Sequence, residues 1–120
     1  MSRLTTHVLD TARGCPATGL AIDLFRFTAG NGDRQTLIVS AKTNGDGRCD
    51  APLLDGDAFQ RGRYQLKFKV AEYLRRSGDD LPDIPFLDDV VINFGVEDPA
   101  QHYHVPLLLS AYGYSTYRGS

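Results

Sequence analysis

The chain has almost no charge imbalance, no long apolar run and very little cysteine, and each shortage removes a class of function. Thirteen Lys and Arg against fifteen Asp and Glu leave a formal net charge of −2 over 120 residues. No basic footprint for nucleic acid or an anionic membrane is therefore expected. No apolar stretch approaches the ~20 residues that span a bilayer. The opening Met1-Ser-Arg-Leu-Thr-Thr-His7 carries no apolar run of signal-peptide type, so a cytoplasmic location is the expectation. Cys15 and Cys49 are the two cysteines, read as free thiols of a reducing compartment rather than as a staple. Several catalytic signatures are missing too. Gly113-Tyr-Ser-Thr-Tyr117 lacks the second glycine of a nucleophile elbow. Neither cysteine sits in a nucleophile motif, and there is no phosphate loop or dinucleotide fingerprint. Asp46, Asp50, Asp55 and Asp57 miss the calcium-loop spacing. Asp79-Asp80 and Asp88-Asp89, which flank a proline-rich loop, read as solvated charge.

What is present is period two. The length fits a single domain, residues 1–120, with a self-sufficient core, and twelve glycines with six prolines supply many turns. Strands are predicted over Leu4–Asp10, Gly19–Thr28, Gln35–Thr43, Arg63–Val70, Asp89–Val96, His102–Ser110 and Tyr112–Tyr117. The clearest is Arg63–Val70, where Tyr64, Leu66, Phe68 and Val70 share one face. Ala29-Gly-Asn-Gly-Asp33, Asn44-Gly-Asp-Gly47 and Asp55-Gly-Asp57 have turn chemistry. Ala71–Arg76 reads as one short helix stopped by Ser77-Gly78, and Leu81-Pro-Asp-Ile-Pro85 as loop. About seven or eight short strands with one brief helix imply an all-β sandwich of two sheets.

The chemistry concentrates in the last residues. His102 and His104 alternate with Tyr103, Val105, Leu107 and Leu109; on a strand the second set faces the core and the histidines face the other way. Leu108 shares the histidine face, and Tyr112 and Tyr114 lie just beyond. An apolar-aromatic surface opposite the core suggests a partner subunit. A chain ending Tyr117-Arg-Gly-Ser120 is expected to be tied down rather than frayed. Arg48, directly after a Gly-rich turn, reads either as a solvated arginine or as a donor fork for carbonyl or anionic oxygens.

These stretches together, Leu4-Thr-Thr-His-Val-Leu-Asp10 with Thr11-Ala-Arg-Gly-Cys-Pro-Ala17, then His102-Tyr-His-Val-Pro-Leu-Leu-Leu-Ser110 and Gly113-Tyr-Ser-Thr-Tyr-Arg-Gly-Ser120, resemble the 5-hydroxyisourate hydrolases, the transthyretin-related enzymes of purine catabolism. The resemblance covers essentially the whole chain. The family usually has proline where Ala111 stands, a change that frees the turn without removing a chemical group. The resemblance implies a sandwich of two four-stranded sheets with one short helix, assembled as a homotetramer (a dimer of dimers), with active sites where dimers meet. It implies no cofactor and no metal. His7, Arg48 and His104 then match catalytic positions. His102 is an accessory neighbour, and Tyr117, Arg118, Gly119 and Ser120 match the tetrapeptide lining the substrate site. The implied reaction is hydrolytic opening of 5-hydroxyisourate to 2-oxo-4-hydroxy-4-carboxy-5-ureidoimidazoline by histidine-activated water. Two other readings stand beside it: a zinc hydrolase with His7, His102 and His104 as ligands, and a transthyretin-like carrier that binds a small aromatic molecule without turning it over.

Overall fold

A computed structural model describes residues 2–28 and 34–119. Along the chain run β1 (Arg3–Asp10), β2 (Cys15–Pro16), β3 (Ala21–Phe27), β4 (Gln35–Lys42), β5 (Leu54–Asp55), β6 (Gly62–Phe68), α1 (Val70–Arg76), β7 (Val90–Val96), β8 (Tyr103–Leu109) and β9 (Tyr114–Thr116). The seven predicted strands and the helix are all there. The predicted turn at Ala29–Asp33 lies outside the described residues.

Alternation decides which side of each strand is buried. Leu4, Val8, Leu107 and Leu109 point inward from one sheet, and Ile22, Leu24, Tyr64, Leu66 and Phe68 from the other, each essentially inaccessible to solvent. Removing one such side chain from water stabilises the fold by about 1.5–3 kcal/mol, so a one-residue slip in any of these strands would forfeit its whole inward set. The first sheet has the order β2-β1-β8-β9 with β5 against the start of β1; the second has the order β4-β3-β6-β7. The two-residue β5 makes the first sheet five-stranded where four were expected.

Val70 departs from its predicted place at the end of a strand. The chain turns at Lys69 (φ −80°, ψ 69°), and Val70 opens α1 instead, still buried. Gly78 then takes a positive φ of 90° just past the helix end, a conformation suited to glycine. The helix is tied to the first sheet through buried Asp10: the Tyr73 hydroxyl donates to Asp10 Oδ2 at 2.9 Å, and the Arg13 main-chain N–H to Oδ1 at 3.0 Å. A buried carboxylate with several donors avoids most of the cost of leaving water.

The pairing that matters for the site is β1 with β8. It is parallel and unbroken from Leu4↔Tyr103 through Thr5↔His104 and His7↔Pro106 to Asp10↔Leu109. Thr5 and His7 lie on the outer face of β1, and His104 and Leu108 on the outer face of β8, all half-buried. The strand pattern had placed His104 and Leu108 on that side.

Candidate active site

Three stretches of chain converge on this outer face. On one side of β1, the loop 44–48 is organised by Asn44. Its side-chain carbonyl accepts from the main-chain N–H groups of Asp46 (2.9 Å) and Arg48 (3.2 Å), and its own N–H donates to the Arg48 carbonyl at 2.7 Å. Gly47 lies so close to β1 that a Cβ on it would stand 2.4 Å from the Val8 carbonyl oxygen, and its φ is +77°. Only glycine fits there. That approach sets Arg48 directly opposite His7 in an isolated antiparallel bridge.

On the other side, β9 approaches β8. In the ladder Leu107 faces Thr116 and Leu109 faces Tyr114. Continued in register, Pro106 would face Tyr117, but proline has no N–H to give. The strand ends at Thr116, whose hydroxyl instead donates to the Pro106 carbonyl at 2.8 Å. The chain returns to the ladder at Gly119, whose N–H donates to the His104 carbonyl at 2.7 Å. A Cβ on Gly119 would stand 2.7 Å from His104 Cδ2, so the glycine backbone lies directly on the imidazole.

The histidines are held individually. His7 Nε2 lies 2.9 Å from the Asp46 carbonyl. A carbonyl only accepts, so Nε2 carries the proton. His104 Nδ1 is 2.8 Å from the Thr5 hydroxyl, and His102 Nε2 is 3.5 Å from the same oxygen. The His102 and His104 rings are nearly parallel, with centroids 6.3 Å apart. Burial first, then the charge of Arg48 and the neighbouring His102 and His7, push the His104 pKa below the ordinary 6.5, against a smaller opposing pull from the Thr5 main chain. The shift favours the neutral imidazole of His104 at pH 7.

A cleft of about 250 Å³ opens beside this row, lined among others by Thr5, Arg48, Cys49, Asp50 and His102. His7 and His104 are not among its lining residues. Burial pushes the Cys49 thiol up, so the cleft offers no ready thiolate nucleophile.

The terminal tetrapeptide divides. Gly119 sits on His104, and Tyr117 is largely exposed. The Arg118 guanidinium turns to the Tyr103 ring, 3.9 Å from its centre, and donates to Gln101 Oε1 and the His102 carbonyl. Arg118 thus meets the other residues of the row only through the His102 main chain. Ser120 lies outside the described residues. Among those described, no three His, Cys, Asp or Glu side chains come together as a metal-holding group; His7, His102 and His104 do not form the zinc set considered from sequence. Thr5 is the residue sequence reasoning missed. Its only signal was its place two residues before His7 on the same face.

The chain is similar to known proteins over its whole length. The HIUase/Transthyretin family profile matches residues 4–119. A 5-hydroxyisourate hydrolase of Ralstonia nicotianae is 58% identical over 120 residues, covering the full length of both chains. The solved structure of Klebsiella pneumoniae 5-hydroxyisourate hydrolase is 32% identical, with a TM-score of 0.79 and full coverage of both chains. A sea bream transthyretin structure in complex with thyroxine is 26% identical, with a TM-score of 0.86, covering 98% of this chain and 94% of that one.

Proposed function

The chain belongs to the HIUase/transthyretin family, and from that membership we propose that it is a 5-hydroxyisourate hydrolase of urate breakdown, opening the substrate ring to 2-oxo-4-hydroxy-4-carboxy-5-ureidoimidazoline. Full-length relatives of that name at high identity favour hydrolysis over carriage. The observation that carries the mechanism is the placing of His104 by Thr5 on one face with His7 and Arg48, where burial and the Arg48 charge favour its neutral imidazole.

Water attacks the activated acyl carbon of the ring. A neutral imidazole of the His7/His104 pair takes the water proton as the carbon–oxygen bond forms. The carbon–nitrogen bond then breaks, and the same imidazole returns the proton to the leaving ring nitrogen, so one water is consumed and the enzyme is unchanged. Proton transfer of this kind is typically worth about two to four orders of magnitude in rate. Arg48, set beside His7 by the Asn44 loop, grips substrate oxygens and steadies the developing oxyanion. Gly119 presents main chain to the ring, with His102 and Tyr117 completing the substrate contacts. No step calls on a metal or cofactor.

The domain acts as a homotetramer, supported by the half-buried Leu108 on the same outer face as His104 and by the largely exposed Tyr112 and Tyr117. No helix among the described residues is long and apolar enough to cross a membrane, and the free Cys15 and Cys49 fit a cytoplasmic location.

The test is an ultraviolet time course in which urate and urate oxidase generate 5-hydroxyisourate in situ. Added protein accelerates decay of the intermediate, with or without chelator, and His104→Asn abolishes the effect with assembly intact. Loss on chelation would restore the zinc reading, and no acceleration the carrier.

A further inference from the structure

The Thr5 hydroxyl has one proton, two lone pairs and two imidazole neighbours; accepting from both rings would leave its own proton without a partner among the described residues, so two arrangements put that proton to use. In one, His102 Nε2–H donates to Thr5, the Thr5 hydroxyl donates to His104 Nδ1, and His104 keeps its own proton on Nε2. In the other every donor is reversed, and His102 must carry its proton on Nδ1. His102 Nδ1 decides between these two: it is buried and has no hydrogen-bond partner among the described residues. A buried N–H with nothing to donate to is rarer and costlier than a bare acceptor nitrogen. The first arrangement is the one the packing tolerates, and its tighter contact is the 2.8 Å bond to His104.

We propose that Thr5 is a positioning residue that, backed by His102, fixes His104 in the tautomer carrying its proton on Nε2. His104 Nε2 has no hydrogen-bond partner among the described residues, and its strand position puts the ring on the outer face of the first sheet. It presents an N–H there, suited to donate a hydrogen bond to the oxygen on which charge develops. His7 is held the opposite way. Its Nε2–H is committed to the Asp46 carbonyl, so in the neutral ring Nδ1 is the free lone pair. The two histidines divide the work left undivided above: His7 takes and returns the water proton, and His104 donates a hydrogen bond without giving up its proton. The assignment of roles rests on the hydrolase reading; the tautomer does not.

Two measurements test this. Long-range ¹H–¹⁵N spectra of protein labelled at its three histidines, assigned with single His→Asn variants, report each tautomer at neutral pH without substrate. His104 as the Nε2–H form supports the proposal, and His104 as the Nδ1–H form overturns it. In the decay assay, Thr5→Val removes the hydroxyl at nearly constant volume. It should lower kcat at least about tenfold, short of the ~10²–10³ expected for deleting a whole oxyanion donor, with KM little changed. Thr5→Ser should restore most of the loss. Wild-type kcat in Thr5→Val, or a Thr5→Ser no better than Thr5→Val, would overturn it. Should the wild type fail to accelerate decay at all, the hydrolase reading falls, while the spectra still decide for or against Thr5.

Discussion

His104 shows how a single imidazole is tuned by what surrounds it. Burial and the nearby Arg48 charge both oppose its protonation, so the unfolded chain binds that proton at a higher pH than the native state does. The resulting stability is fully present above about pH 6.5, the ordinary value, and is lost as the pH falls through the lowered native value. Followed by NMR through its ring protons, His104 should titrate below 6.5. Arg48→Gln should move that midpoint part of the way back up, leaving the burial contribution in place; a midpoint unmoved by Arg48→Gln would show that the Arg48 charge plays no part. At this scale the sequence was legible in part. His102 and His104 could be put on the outer face from alternation, but His7 and Arg48 joined them only through the family motif. Thr5 carried no chemical signal, because its partner lies 99 residues away across a parallel pair. The direction of Arg118 was equally hidden, since an arginine in a terminal motif says nothing about which side it turns to.

Short connections between elements shape the site as much as the strands do. The loop 44–48 fits against β1 through Gly47, at positive φ and with no room for a Cβ. Gly47→Ala should cost about 2 kcal/mol or more through backbone strain and lower Tm by roughly 5–10 °C. It should also reduce kcat/KM, because Arg48 follows the displaced loop; calorimetry and the decay assay check both. Pro106 acts by subtraction: the donor it lacks opens the β8–β9 ladder at Tyr117, and the chain re-enters at Gly119. The alternating strands were legible because burial on one face writes itself as period two. Val70 was not, since an apolar residue at a strand end is equally at home opening a helix. Nor was β5, whose two residues are too few to show any period.

At the scale of the whole molecule, the outer face of the first sheet is broad, carries Leu108 beside the histidines, and adjoins exposed Tyr112 and Tyr114. Sedimentation should find a species of four 13.2 kDa chains. Leu108→Glu, which puts a charge on that face, should reduce it to dimers and lower activity with it; a wild-type monomer would contradict the assembly. The two-sheet architecture followed from periodicity, whereas the parallel β1–β8 pairing joins distant segments and leaves no local trace. That pairing also governs when the enzyme can exist during folding. A contact closed over 99 residues must meet its loop-closure entropy before any local gain offsets it, which places such topologies among the slow folders, on the order of milliseconds to seconds. Until β8 docks against β1, Thr5 has no imidazole to bond. The proposed catalytic face is therefore completed only by a pairing of high sequence separation, and a chain whose β8 has not docked on β1 should show no activity.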